Sequence, residues 1–361
     1  RRAEAQNFGV DHQKLEIDYE KITEVTPELL KYLEHDCRAL YECLEKFYKQ
    51  PLIKAAGSAS TTASQALRVF RTFLKRDVTC LSGALDQFVR KTYFGGRTEI
   101  FKPFFRQFSD DEVLRSFDVN SLYPSVMRDN EFPDRSFVRT QRLVDNRMGF
   151  YEATVFVPDM YVPPLGVVWT ENNWDKYIFP TGRFRGFWTS EELKYAVSLG
   201  VKIEKIHDGY TFLSCGHIFK DYIEYLYDMR KKAEKGSVDD LVAKLLMNST
   251  YGRFGLNLER EQLEFEMSDP NTLPFMDLNV PGGLFRLVKR DVNLETSFTN
   301  CAVASWVTSL ARIKMHKFFM QSPDDLYYTD TDSAFSTYNY KSDDKDLGQL
   351  KLEYKAKSAC F

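Results

Sequence analysis

The sequence predicts an α+β fold, with helices segregated from an antiparallel sheet. Three observations carry this: apolar residues at helical spacing over 28–48, a stretch from 136 to 215 rich in strand formers, Pro, Gly and aromatics, and an aromatic, β-prone run that follows a long helical segment (300–319). In the first helix Leu29, Leu33, Leu40, Leu44 and Phe47 fall on one face, and Pro51 ends it. Residues 61–75 read as a second helix, and the glycines of "YFGGRTEIF" (93–101) as a sharp turn into extended chain and a domain boundary. "VLRSFDVNSLYPSVM" (113–127) reads as a strand ending near Val119, then a helix with Pro124 in its first turn, where a missing N–H costs nothing. Residues 217–235 are helical, "KGS" is a tight tip, and Ser237 with Asp240 forms a capping signature for the next helix. Residues 260–295, with Pro270, Pro274, Pro281 and Gly282-Gly283, read as loops and a hairpin.

The 361 residues, 43% hydrophobic and 28% charged, suit a soluble chain of two or three domains. No stretch approaches the ~18 apolar residues of a membrane span and no secretory signal opens the chain, so an intracellular protein without a membrane partner is expected. The six cysteines are scattered, with no CxxC pair, and read as reduced thiols. A net charge of -3 does not announce a nucleic-acid binder. Locally, however, Arg68, Arg71, Lys75 and Arg76 stand with no acid between them, and Lys176, Arg183 and Arg185 alternate with aromatics. Such interleaving fits a phosphate backbone with stacked bases, although a solvated face over core rings is the plainer reading of either segment taken alone.

Two carboxylates, Asp330 and Asp332, stand in "YYTDTDSAF" (327–335) as the turn of a β-hairpin. Ionised carboxylates in apolar surroundings cost several kcal/mol apiece unless a cation compensates. Mg²⁺ would do so, although a DTD turn alone also reads as a pair of solvent-facing acids. A third carboxylate, Asp118, stands where strand becomes helix, so free helix N–H groups would face whatever it holds, a pairing suited to a metal-bound polyphosphate. An N-capping acid is the plainer reading of Asp118. Lys244, Asn248 and Tyr251 lie at i, i+4 and i+7 on one helix stripe, and Gly252 would let a nucleic-acid backbone come close.

"DVNSLYP", "KLLMNSTYG" and "YTDTDS", in that order, resemble motifs A, B and C of the family B DNA polymerases. "YFGG" (Tyr93, Gly95, Gly96) is similar to the hinge between exonuclease and polymerase domains, "TSLAR" (Thr308 to Arg312) to the primer-side helix, and "LGQLKLE" to the segment after motif C. The resemblance implies a palm of antiparallel sheet backed by helices, with helical fingers, in which Asp118 and Asp332 bind two Mg²⁺ ions (Mn²⁺ can substitute), Asp330 supports them and the Val119 carbonyl adds a ligand. It implies that Lys244, with Arg230 or Lys232, neutralises a dNTP triphosphate, that Leu122, Asn248 and Tyr251 line the nascent base pair, and that Tyr123 stacks under the sugar. Ser121, Gly252, Thr308, Arg312 and the YFGG residues would contact primer-template DNA.

Long separations between the motifs are similar to the two insertions of the protein-primed branch, which hold a terminal protein. A nucleic-acid-primed family B polymerase and an inactive DNA-binding palm are the alternatives. The implied partition is 1–50 exonuclease tail, 51–97 linker, 98–215 palm with first insertion, 216–255 fingers, 256–297 second insertion and 298–361 palm. "YLEHD" resembles the third exonuclease motif through Tyr32 and Asp36, with no DxE before it, so a piece unable to proofread and lacking a thumb is expected.

Overall fold

Thr26 opens the first helix, α1 (Pro27–Lys49). Its Oγ1 accepts the Leu29 N–H at 3.2 Å, Pro27 and Glu28 occupy the first turn, and Lys46 and Lys49 sit in the last. The computed structural model describes residue 12 and residues 24–361, apart from 77, 104, 110–111, 172–173, 258, 268–284, 294–297 and 344. After α2 (Pro51–Ala56), Thr61 caps α3 (Thr62–Phe73), close to the expected span, and α4 (Gly83–Arg90) is a short helix beyond the sequence expectations.

The chain then runs through β1 (Thr98–Ile100), β2 (Phe105–Gln107), β3 (Leu114–Val119) and α5 (Leu122–Asp129). Next come β4 (Phe132–Arg139), β5 (Gly149–Val157), β6 (Val167–Glu171), β7 (Trp174–Ile178), β8 (Gly182–Thr189), α6 (Ser190–Ser198) and β9 (Lys202–Gly216). Two helices follow, α7 (Lys220–Lys232) and α8 (Val238–Phe254), then β10 (Glu259–Met267), β11 (Phe285–Asn293) and α9 (Cys301–Phe319). Four strands end the fold: β12 (Leu326–Asp330), β13 (Ser333–Ser336), β14 (Leu350–Ala356) and β15 (Ser358–Cys360).

The sheet that matters for the site has the order β1-β12-β13-β3-β14, antiparallel throughout. Phe117, Val119, Leu326, Ala334 and Leu350 from its strands meet Leu122 and Val126 of α5 and Ala311, Met315 and Phe319 of α9. The second helix here is apolar around most of its circumference, which suits burial on all sides. A second antiparallel sheet, β4-β9-β5-β8, buries Tyr151, Ala153, Val155 and Val157 on one face by strand alternation, against Leu193 and Ala196 of α6. A third core joins the helices, where Phe70 meets Phe219, Tyr222 and Phe254 with ring centroids 4.8, 5.4 and 5.7 Å apart.

The α+β class is as expected, and the departures are local. Residues 190–198 are helical where only strand and loop were expected, because Thr189 and Glu192 form a capping box that starts α6. The helix expected over 217–235 ends at Lys232 because Ala233 turns extended. Strands β10 and β11 pair antiparallel, while the expected Gly282-Gly283 turn and Pro270, Pro274 and Pro281 lie outside the described residues. Among the described residues no helix is long and apolar enough to cross a membrane.

Candidate active site

The end of β3 and the turn between β12 and β13 are neighbours in the sheet. Asp118 faces Ser333 across the β3–β13 ladder, and the Val119 N–H donates to the Asp332 carbonyl at 2.8 Å. The turn is tight: the Asp332 N–H donates to the Asp330 carbonyl at 2.7 Å, and Thr331 adopts φ 57°, the left-handed region that a residue with a Cβ enters only under constraint. The constraint comes from the YFGG side. Thr331 N–H donates to the Arg97 carbonyl at 2.9 Å, and Thr98 Oγ1 donates to Asp330 Oδ1 at 3.0 Å.

Opposite these acids the chain leaves β3 through Asn120 and Ser121, itself left-handed at φ 52°, into α5. Ser121 makes no side-chain cap, and Ser121, Leu122 and Tyr123 at the start of α5 line a cavity of about 500 Å³. Asp118, Val119, Tyr123 and Asp332 line one side of it, and Lys244, Asn248 and Tyr251 of α8 line the other. The stripe predicted on α8 is therefore a wall of the same cavity that receives the acids. Tyr123 and Tyr251 stack with centroids 4.4 Å apart at 30°. Arg230 reaches in from α7, held by Asp240 at 2.8 Å and donating to Ser121 Oγ at 3.3 Å.

The cavity lining carries Asp118, Asp332 and Glu353 against Arg230, Lys244 and Lys351, but Arg230 already pairs with Asp240 and Lys351 with Glu353. Burial, then Asp332 and Glu353, push the Asp118 carboxyl up to about 6, against the pull of Lys351 and Lys244. Burial also raises Asp332, with Asp330 adding to the effect. Burial raises the hydroxyls of Tyr123 and Tyr251, which stay neutral at physiological pH. All the acidic donors are oxygens, which fits a hard dication bound by one or two carboxylates and completed by substrate phosphates.

Several placements correct the sequence expectations. Asp330, expected to support the ions, is not among the residues that line the cavity. It is exposed, it bonds Thr98 and Thr331, and no group of three or more His, Cys, Asp or Glu able to hold a metal occurs among the described residues. Thr308 and Arg312 are buried, not surface groups for a primer: Thr308 bonds the Ser305 carbonyl, and Arg312 pairs with Glu192 at 2.7 Å and donates to the Phe94 and Gly95 carbonyls, each at 2.8 Å. Leu122 buries its side chain in the sheet core, so only its backbone can face the cavity. Lys232 is exposed outside the cavity lining, which leaves Arg230 as the basic group of α7 in place. Tyr93 packs on the helical core, Gly95 and Gly252 are exposed, and Gly96 lies against Thr331. Tyr32 and Asp36 sit one turn apart on α1, the first buried and the second half-buried.

Lys351 and Glu353 of β14 also line the cavity, and sequence reasoning missed them. Lys351 faces Asp118 across the ladder and pairs with Glu353 at 2.7 Å. Their signal was the alternation in "QLKLE", which sets both on the face opposite Leu350 and Leu352.

An antiparallel sheet with paired acids at one end, faced by a basic and aromatic helix stripe, defines a polymerase palm opposed by fingers. Residues 2–301 match the family of DNA polymerases type B, organellar and viral, and the chain belongs to that family. It is 30% identical over 91% of its length to a probable DNA polymerase of Neurospora intermedia, covering 36% of that protein. It is 27% identical over 92% of its length to the DNA polymerase of Bacillus phage phi29, covering 57%. The solved phi29 DNA polymerase complexed with primer-template DNA shares the fold at a TM-score of 0.77 and 23% identity, over 99% of this chain and 63% of that one. The chain thus spans about a third of the fungal relatives it matches.

Proposed function

We propose that this chain is the core of a template-directed DNA polymerase that adds deoxynucleotides from dNTP to a primer 3′-OH. The observation that carries the reading is one cavity receiving Asp118 and Asp332 from the sheet, the open N-terminus of α5, and Lys244, Asn248 and Tyr251 from α8. Asp118 and Asp332, with the Val119 carbonyl, are the groups to hold two Mg²⁺ ions, which when bound make the primer hydroxyl more acidic and neutralise the leaving pyrophosphate.

The chain's own residues do the positioning. Lys244 and Arg230 neutralise the triphosphate, whose oxygens also accept from the free N–H groups of α5. Asn248 and Tyr251 bound the space for the nascent base pair, and Tyr123, stacked on Tyr251, closes the floor beneath the sugar against a 2′-OH. Protein priming is part of the proposal. The second sheet with α6, and the β10–β11 pair, stand at the two insertions, within 98–215 and at 256–297, which we read as the seats of a terminal protein and of DNA in a polymerase whose exonuclease tail is residues 1–50.

Primer extension by the full-length protein tests the reading. Asp332→Asn should lower incorporation at least roughly a thousandfold while DNA binding stays near wild type. Retained extension would refute the role of the acid pair. Tyr123→Ala should admit rNTP, and unchanged discrimination would overturn the floor assigned to it.

A further inference from the structure

Glu192 lies in the first insertion, outside the cavity and outside every motif that pointed to it. It is 4% exposed, and its carboxylate serves two tasks. Oε2 accepts the Thr189 N–H and hydroxyl, each at 3.2 Å, which starts α6. Oε1 accepts Nε and one terminal nitrogen of Arg312 at 3.0 and 2.7 Å. The other terminal nitrogen of Arg312 donates to the Phe94 and Gly95 carbonyls. Two residues further on, Arg97 and Thr98 hold the backbone of Thr331 and the side chain of Asp330, and a Cβ on Gly96 would stand 2.8 Å from the Thr331 Cα.

From this chain of contacts we infer that Glu192 is a positioning residue for the acid turn: by fixing Arg312 it fixes segment 94–98, and that segment fixes the left-handed Thr331 and with it the aim of Asp332. Tyr177 of β7 seconds it from the same insertion, stacking on Phe94 at 4.4 Å and 17° and lying under the Arg312 guanidinium. The insertion then does more than extend the surface. It sets the geometry at which the two acids share an ion, and the inference rests on the proposed metal role of Asp118 and Asp332.

A guanidinium that merely filled space could lose its charge partner without moving the turn. The two cases separate in the full-length protein. Glu192→Gln keeps the volume and one acceptor oxygen but removes the charge, and Glu192→Ala removes both. Binding of Mn²⁺ alone is followed by the resonance signal of the free ion, single-nucleotide incorporation is resolved into kcat and KM, and thermal unfolding is recorded beside them. The alanine variant should bind Mn²⁺ roughly tenfold more weakly and lose kcat by a similar factor, with KM for nucleotide within about twofold of wild type. The glutamine variant should fall between. If both bind Mn²⁺ and turn over as wild type, with a lower Tm alone, Glu192 is packing and the inference is overturned. Should the alanine variant not fold, the glutamine variant decides. Asp332→Asn runs alongside: if it leaves Mn²⁺ binding intact, the metal role of the acids fails, a result distinct from failure of the brace.

Discussion

Two regions of this molecule draw charge away from water, Arg312 with Glu192 fully buried and Asp118 with Asp332 half-buried, and they treat it oppositely. Around Arg312 every charge has its complement: the guanidinium meets Glu192 and two carbonyls, and Glu192 meets a helix start. Around Asp118 the complement falls short: Lys351 faces it across the ladder but pairs with Glu353, and burial with Asp332 and Glu353 pushes the carboxyl up to about 6. Compensated burial marks structure; uncompensated burial marks a place where the missing charge arrives with a ligand. The difference also explains why two basic residues expected to touch nucleic acid parted company. Lys244 stays exposed on the cavity wall, and Arg312 is consumed inside.

Breaking the compensated side should cost the most stability. Arg312→Met leaves Glu192 buried without its partner, and about 3–5 kcal/mol of folding free energy should go, measured by denaturant unfolding. Adding Glu192→Gln should return part of it, since the stranded charge is then gone. A loss in the double variant equal to the sum of the losses in Arg312→Met and Glu192→Gln alone would mean that the pair is not coupled. Gly96→Ala probes the link between brace and turn. Its Cβ would meet Thr331 Cγ2 at 2.7 Å and Cα at 2.8 Å, and the backbone atom cannot swing aside, so a cost of about 1–3 kcal/mol is expected. Full stability in this variant would show that segment 94–98 and the turn move freely of one another.

How far the sequence could see follows the same division. The uncompensated side was legible: Asp118 at a strand end, the Lys244, Asn248 and Tyr251 stripe and the DTD hairpin are local patterns, and folding brings them into one cavity. The compensated side was not. Arg312 and Glu192 are 120 residues apart, and nothing in "TSLAR" tells whether its arginine points out or in. The capping box at Thr189 was readable as Thr-x-x-Glu, yet the surrounding strand formers outweighed it. Asp330 was harder to place for another reason: the hairpin turn was readable, but not that Thr331 at its centre takes the left-handed conformation, with Asp330 exposed beside it.

On the uncompensated side the effect is smaller and depends on pH. A carboxyl raised from 3.8 to about 6 contributes stability that is full below 3.8 and lost as pH rises through about 6. Without divalent ions, the Tm of the wild type should therefore fall between about pH 4 and pH 6 more steeply than that of Asp118→Asn. Mg²⁺ at neutral pH should restore the wild type and leave the variant unmoved. Parallel slopes would mean that the cavity carries no charge in want of a partner.

The smallest effect has the sharpest sign. Gly252 lies inside α8 one residue past Tyr251, is exposed, and a Cβ built on it meets nothing within 4 Å. Within the protein alone, Gly252→Ala should stabilise the helix by about 0.5–1 kcal/mol, because alanine loses less backbone freedom on folding than glycine. If the open space belongs to a nucleic-acid backbone, the same methyl group should weaken binding of primer-template DNA while Tm rises. A variant that is both more stable and a poorer binder would place the DNA against this turn of the helix, through a residue with no charge and no side chain. One that is more stable and binds as wild type would leave Lys244, Asn248 and Tyr251 as the extent of the surface that α8 offers.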